Sequence, residues 1–396
     1  MKKRILIVAS SLIIGGLEKC LVNFCNNLGA EKYDIDLYLF NEGRDLVSKL
    51  NKNVNLLPES TLYYDVYNKS FGSSVKTLLK KKKIRLALYR INRFIRARFK
   101  RTKFKPSDWK QMKKTMLKID KHYDVAIGFE EETACYFVAE CVNADVKLGW
   151  IHTDIKMISS NKKLDEMAFS TLDKVITVSE NSLNSLIETY PNYKDKFRCI
   201  PLPRLLNYEE INTLANEPNQ LEDDCTNILS VGRLVELKGF HLCVPALKKL
   251  LDDGYNVKWY IAGDGDYREI VEEEIKKHRV EDRFILLGNC SNPYTYIKSA
   301  DICVQPSRYE GFGMVIVEEK YLFKPVVITN IPSFYEMIDD GKNGIIVERS
   351  SDSIYQGVKK LLDDKSLMKT LANAPIKGVS SNQEIIKAIE EEFTKN

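Results

Sequence analysis

Histidine is scarce in this chain: the four present among 396 residues stand at 122, 152, 241 and 278. No spacing among them suggests a metal cage, which argues against a structural zinc module. Cysteine is present nine times, but no two form a C-x-x-C pair and several sit inside apolar runs. An odd, scattered set of this kind reads as reduced core residues and excludes a disulfide framework, so a cytoplasmic location is expected. No stretch reaches the ~20 apolar residues that a membrane-spanning helix requires. Internal repeats and low-complexity tracts are also missing, which excludes solenoids and disordered scaffolds.

What is present is alternation. Short apolar runs appear at Ile5–Ala9, Ile35–Phe40, Val54–Leu57, Val125–Phe129, Val146–Ile151, Val175–Val178 and Cys199–Leu202. The second half repeats the pattern at Ile228–Val231, Lys258–Ala262, Phe284–Leu287, Ile302–Gln305, Val326–Thr329 and Ile345–Val347. Helix-period segments separate nearly all of them, which predicts α/β architecture with parallel sheets covered on both faces. At this length, and with a full strand set in each half, two domains are expected. The polar stretch around Asn216-Glu217-Pro218-Asn219 and Glu222-Asp223-Asp224 reads as the linker. Met1-Lys2-Lys3-Arg4 ahead of an apolar run imitates a signal peptide, but no small-x-small cleavage site follows. A first strand, Arg4–Ala9, leading through Gly15-Gly16 into a helix Glu18–Leu28 is the better reading.

Charge is unevenly spread. Between Lys76 and Lys118 there are 18 Lys or Arg and one acid, Asp108; this net +17, set against +5 for the whole chain, leaves −12 elsewhere. Within that segment Ile84, Leu88, Ile91, Ile95 and Phe99 recur at helical spacing, flanked by Lys80, Lys81, Lys82, Lys83, Arg85, Arg93 and Arg96. Such a helix can lie among anionic headgroups, apolar side down. It can equally pack on its own domain with a solvated basic face. Nucleic acid is not expected, since no recognised binding module accompanies the charge.

The densest chemistry lies at Ser307-Arg308-Tyr309-Glu310-Gly311-Phe312-Gly313-Met314-Val315-Ile316-Val317-Glu318-Glu319, directly after an apolar strand run. Gly311 and Gly313 permit a sharp turn and a close approach of backbone to ligand. A helix predicted over Met314–Phe323 would aim its N-terminal amides at the strand end, where open α/β sheets hold phosphorylated ligands. With Glu310 on the loop and Glu318 on the helix, this is the layout of a nucleotide-sugar site. Arg233 and Lys238, just past Ser230-Val231-Gly232, are suited to neutralising a diphosphate. Gly263-Asp264-Gly265 and Gly288-Asn289 are further small-residue loops at strand ends. In the first half, Gly15-Gly16 and His152 hold similar positions after their own strands.

Together, Gly15-Gly16-Leu17-Glu18, Trp150-Ile151-His152, Arg233 with Lys238, Gly263-Asp264-Gly265 and Glu310-Gly311-Phe312-Gly313 through Glu318 resemble the retaining glycosyltransferase family 4. That family contains bacterial capsule, lipopolysaccharide and teichoic-acid sugar transferases. The similarity runs through nearly the whole chain and is sharpest from Asn227 to about Asp364. It implies a GT-B architecture, two Rossmann-like domains facing each other across a cleft. The expected division is an acceptor-side domain 1–203 with a basic helical insertion about 62–118, a linker 204–226, a nucleotide-sugar domain 227–380, and a helix 381–396 returning to the first domain.

The resemblance also implies roles. Arg233 and Lys238 would hold the donor diphosphate, Glu318 the ribose hydroxyls and Glu310 the hydroxyls of the transferred sugar. The amides of Phe312, Gly313 and Met314 would hold sugar or diphosphate, with Gly16, Gly263 and Asn289 completing the donor site. His152 would lie near the reacting carbon, giving Glu310, His152, Arg233 and Lys238 as the catalytic set. Two cations make a metal unnecessary, so no cofactor is expected. Two positions depart from the family pattern: Pro201-Leu202-Pro203-Arg204 replaces an asparagine-proline-acid turn, and Glu319 stands where a small residue is usual.

The expectation is a cytoplasmic retaining hexosyltransferase, peripheral on the inner membrane face through residues 76–105. It would transfer from a UDP-hexose or UDP-N-acetylhexosamine to a glycan or lipid-linked acceptor in bacterial cell-surface polysaccharide synthesis. The alternatives are a GT-B sugar-nucleotide epimerase and a non-catalytic donor-fold partner subunit.

Overall fold

The computed structural model describes residues 2–13, 15–98, 105–158, 160–202, 208–218, 221, 224–378 and 380–394. The chain divides into two compact units, Met1–Leu205 with Ser381–Asn396, and Leu206–Ser380.

The first unit is built on seven strands: β1 Lys3–Ala9, β2 Tyr33–Leu39, β3 Val54–Leu56, β4 His122–Gly128, β5 Asn143–Ile151, β6 Lys174–Thr177 and β7 Phe197–Cys199. They form one sheet in the order β3-β2-β1-β4-β5-β6-β7, every pairing parallel. Parallel strands covered on both faces must be apolar on both, and β1 is: its last five residues are all buried. Trp150 on β5 anchors the core edge-on against Phe24 and Phe129. Strand β7 lies earlier than the Cys199–Leu202 run suggests. The N–H of Ile200 still bonds to Thr177, but Pro201 has no N–H to continue the ladder.

The helix after β1 runs over Gly16–Asn27. The tail helix Asn382–Glu391 opens with a capping box between Ser381 and Glu384 and buries Ile385, Ile386 and Ile389. Phe393 beyond it meets Tyr33 edge-on at 5.9 Å.

The basic segment is a pair of packed helices, Phe71–Lys80 and Ile84–Arg98. Their contact with the domain runs through a small cluster of Val66, Leu78 and Ala87. Two buried carboxylates pin it: Asp65 takes Lys69 and Lys81, and Asp108 takes both guanidinium nitrogens of Arg96 at 2.9 and 3.0 Å. The Arg93 guanidinium lies 4.9 Å from the Tyr67 ring centre. Because Ala87 supplies the inner face, the stripe of Ile84, Leu88 and Ile95 points outward, 60, 61 and 49% exposed. Lys80, Lys82, Lys83 and Arg85 are exposed beside it. Phe99, the last position of the expected stripe, lies outside the described residues. Among the described residues no helix is long and apolar enough to cross a membrane.

The second unit has six strands: β8 Thr226–Val231, β9 Val257–Ala262, β10 Phe284–Gly288, β11 Ile302–Gln305, β12 Val326–Thr329 and β13 Ile345–Val347. Their order is β10-β9-β8-β11-β12-β13, again all parallel. The order reverses between β8 and β11, and a doubly wound sheet opens its ligand crevice at such a point. Within the stretch 204–226 read as linker, Tyr208–Leu214 is a helix of this unit, with Ile211 and Ala215 buried four residues apart. Pro203 and Arg204 lie outside the described residues.

Beyond the strand ends the loops are stitched backbone to backbone. Gly232 N–H donates to Ala262 at 3.0 Å, Leu234 N–H to Asp264 at 3.0 Å, and Gly263 N–H to Gly288 at 2.8 Å. Gly263 has φ +152°, and a Cβ there would lie 1.9 Å from the Gly232 carbonyl oxygen. Gly288 has φ +76° but open space around it. Gly263→Ala should therefore cost clearly more than Gly288→Ala, at least about 2 kcal/mol against about 1. Urea midpoints for the two variants check the order.

Candidate functional site

The rim of the second unit is assembled from loops that follow β8, β9, β10 and β11. After β8 a short turn, Glu236–Lys238, ends at Gly239 with φ +69°. A Cβ at Gly239 would lie 2.3 Å from the Pro306 carbonyl oxygen, so only glycine lets the β8 loop lie against the end of β11. Arg308 N–H donates to Leu237 at 2.7 Å and secures the same junction.

This approach brings Lys238 to Glu310. Their ammonium and carboxylate form an ion pair, and Ser307 Oγ donates to the same Glu310 oxygen at 2.8 Å. The two side chains are only 21 and 14% exposed. Water screens such a pair less than a surface one, so the carboxylate is held in one place. Ser333 Oγ, from the loop after β12, donates to the Glu310 carbonyl at 2.9 Å. Glu310 is thus fixed at both its backbone and its side chain. Arg233 stands exposed at the start of the β8 loop.

Gly313, with φ +89°, caps the helix Met314–Tyr321. A Cβ at Gly313 would strike the Phe334 ring at 2.7 Å. The helix ends two residues before Phe323, which takes a left-handed φ of 56°. Phe312 is buried, and Met314 and, one turn along, Glu318 are half-buried. The Tyr294 hydroxyl donates to Glu318 Oε1 at 3.0 Å. Gly263 lies inside the stitched loops, and Asn289 is exposed after Gly288. Arg233, Lys238, Gly263, Asn289, Glu310, Phe312, Gly313, Met314 and Glu318 all belong to the second unit, on the strand-end side of one sheet.

Gly16 and His152 belong to the first unit. A Cβ at Gly16 would meet nothing within 4 Å, whereas one at Gly15 would strike the Glu18 carboxylate. His152 is more enclosed than its position at a strand end suggests. Its Nε2 lies 2.6 Å from the Phe129 carbonyl, and its ring stacks on Trp150. Burial pulls its pKa down while the neighbouring Glu131 charge and the Phe129 carbonyl oppose that shift. A neutral ring donating from Nε2 fits these contacts, which leaves Nδ1 as the basic nitrogen. Nδ1 has no hydrogen-bond partner among the described residues.

Sequence reasoning missed the acids beside it. Glu130 accepts from both the N–H and the hydroxyl of Ser10, and burial raises its carboxyl pKa. Glu131 accepts from the His152 N–H at 3.1 Å. The signal was available: three consecutive glutamates directly follow Phe129 at a strand end. Among the described residues no group of three or more His, Cys, Asp or Glu is placed to hold a metal ion.

Comparison with known proteins bears on this geometry. Residues 213–377 match the family model described as Glycosyl transferases group 1. Across 99 to 100% of both chains the structure is similar to TarM, at TM-score 0.69 and 15% identity. It is equally similar to Anabaena HepE in complex with UDP and glucose, at TM-score 0.69 and 17% identity over 98% of this chain and 100% of that one. The fold is GT-B.

Among curated sequences, the Staphylococcus aureus capsular polysaccharide glycosyltransferase CapM is 25% identical over 218 residues, 53% of this chain and 57% of its own. A Campylobacter jejuni N-acetylgalactosaminyltransferase acting on a diphospho-undecaprenol substrate is 31% identical over 215 residues, 54% of this chain and 57% of its own. The GT-B chain described here thus spans a little over half the length of these curated relatives.

Two residues of this GT-B chain's site helix are buried where their charges are costly. Glu319 accepts from Gln305 Nε2 at 2.6 Å, and burial pushes its pKa up to about 8. Lys320 donates to the Leu371 and Ala372 carbonyls, and burial pulls its pKa down to about 8. Between the ordinary carboxylate value and pH 8 the folded protein holds a proton at Glu319 that the unfolded chain has released. Stability therefore falls as pH rises through that window. Above pH 8 the unfolded chain holds a proton at Lys320 that the folded protein lacks, so this contribution recovers with pH. The two together should give a minimum near pH 8, each limb sloping by at most about 1.4 kcal/mol per pH unit. Urea titrations from pH 5 to 10 check this: Glu319→Gln should remove the falling limb and Lys320→Met the rising one.

Proposed function

We propose that this chain is a retaining glycosyltransferase, transferring a hexosyl or N-acetylhexosaminyl group from a UDP sugar to a glycan or lipid-linked acceptor without a metal. The observation that carries this reading is the Lys238–Glu310 pair, with Glu318 one helical turn inside Gly313 on the same stitched rim. Lys238 and Arg233 neutralise the diphosphate, Glu310 receives sugar hydroxyls, and Glu318 receives the ribose hydroxyls.

In the transfer, the bond between the anomeric carbon and the diphosphate oxygen breaks, and its electron pair leaves with the phosphate. Lys238, held by Glu310, and Arg233 at the loop start stabilise that charge as it develops, which is where electrostatics contributes most. The acceptor oxygen bonds to the anomeric carbon from the same face, and its proton passes to the departing phosphate oxygen. Retention of configuration follows. A nearby ammonium also lets this site do without a divalent cation.

The relatives support the same direction. CapM takes part in capsular polysaccharide synthesis, and the Campylobacter enzyme acts on a polyprenyl-diphosphate-linked sugar. An acceptor of that kind sits at a membrane. The surface that supports docking there is the outward stripe of Ile84, Leu88 and Ile95, flanked by Lys80, Lys82, Lys83 and Arg85. Apolar side chains beside unneutralised cations match the interface of an anionic bilayer.

Two measurements test these readings. Incubated with a panel of UDP sugars and lipid extract, the enzyme should form product with the donor's anomeric configuration retained. Lys238→Ala should lower kcat/KM by about a hundredfold or more. Isomerised donor in the absence of acceptor would instead identify an epimerase. In a vesicle float, the protein should rise with anionic and not with neutral lipid, and Ile84→Ser with Leu88→Ser should abolish floating while leaving transfer to a soluble acceptor intact. Equal floating with both lipids would exclude the electrostatic docking.

A further inference from the structure

Glu318 can read a ribose only if its carboxylate is aimed. A glutamate side chain has three rotatable bonds, and an unsecured one swings to meet whichever donor is offered. Two vicinal hydroxyls are distinguished from one only when the carboxylate plane is set beforehand, so that both oxygens meet their donors together. Position 318 is half-buried on its helix, so its head group is within reach of both the core behind it and the rim in front.

The Tyr294 phenol supplies such a constraint. Its Oη lies 3.0 Å from Glu318 Oε1, and the residue is 2% exposed, so its ring is immobilised in the core. The backbone holding that ring is fastened too. Tyr294 N–H donates to Asn292 Oδ1 at 3.2 Å. The Asn292 amide in turn donates to the Leu214 carbonyl and to Glu217 Oε2, both at 2.9 Å. The helix Tyr294–Ser299 also packs directly on Met314–Tyr321. A phenol donating to one oxygen orients the carboxylate without exhausting its lone pairs, which number about four.

We propose that Tyr294 is a positioning residue that orients Glu318 and thereby sets this site's preference for ribose over 2′-deoxyribose in the donor nucleotide. The proposal rests on the reading of Glu318 as the ribose anchor, and the experiment separates the two. Calorimetric titration with UDP and with 2′-deoxy-UDP is run on the wild type, Tyr294→Phe and Glu318→Gln.

Tyr294→Phe keeps the buried ring and removes only the donor. It should weaken UDP by about three- to tenfold and 2′-deoxy-UDP by less than about twofold, the scale of one hydrogen bond to a charged group. In transfer assays KM for the donor should rise by a similar factor, with kcat nearly unchanged. Equal weakening of both nucleotides would mark a general structural role and overturn the proposal, as would no change in either. If Glu318→Gln collapses the preference for UDP while Tyr294→Phe keeps it, the ribose anchor stands and the positioning role falls. If neither variant alters the preference, the ribose anchor and the positioning role fall together.

Discussion

Past the ends of β8 and β9 the hydrogen bonding of the sheet does not stop. Gly232 bonds to Ala262, Leu234 to Asp264 and Gly263 to Gly288, so the loops after β8 and β9 continue the ladder beyond their strands. Loops of this kind are normally the most mobile part of an α/β unit. Here they are joined closely enough that a single added methyl group at Gly263 or Gly239 would meet a carbonyl oxygen. A charge carried on such a rim arrives at a set position, and electrostatic stabilisation needs that: a cation that must reorganise contributes less. The Lys238–Glu310 pair is a product of this stitching, because the β8 loop reaches the end of β11 only through Gly239.

Helix geometry then gives neighbouring residues opposite fates. Glu318 and Glu319 are adjacent in sequence, yet successive residues point about 100° apart around a helix. Glu318 reaches the rim, and Glu319 enters the core behind it. With its pKa raised to about 8, Glu319 is held toward its neutral form and adds little negative charge behind Glu318 and Glu310. Its neutral form can donate as well as accept, which suits a pairing with the Gln305 amide. Lys320 is held in turn by carbonyls at the end of the helix Lys365–Asn373. The site helix is therefore fastened by polar contacts on its buried side.

The sheets were legible because both-face burial writes parallel strands as continuous apolar runs. Where a run misled, a backbone rule explains it: Cys199–Leu202 looks like a strand, but Pro201 cannot continue the ladder. The glycine turns were legible too, since few other residues can follow a buried strand so abruptly. Tyr294 was not legible. An aromatic after Asn292-Pro293 reads as one more core residue, and its hydroxyl acquires meaning only when helix packing brings it to Glu318. The burial of Glu319 was hidden in the same way, being visible in the sequence only as a departure from pattern. His152 shows the converse, since a strand-end position revealed nothing of the carbonyl that occupies its Nε2.

The basic helix pair follows a different logic from the rim. Asp65 and Asp108 neutralise Lys81 and Arg96 and hold the pair to its unit, so those cations serve the fold. Lys80, Lys82, Lys83 and Arg85 remain at the surface, next to apolar side chains that a water-facing helix does not need. Had the helix been rotated by half a turn, Ile84, Leu88 and Ile95 would lie on the core. Instead the small Ala87 occupies the inner face, where burying one methyl contributes far less than burying a leucine. Exposure of the larger residues is thus a cost the isolated unit bears in water. A surface that covers them while meeting the neighbouring cations would remove that cost, and the docking proposed above would do both at once.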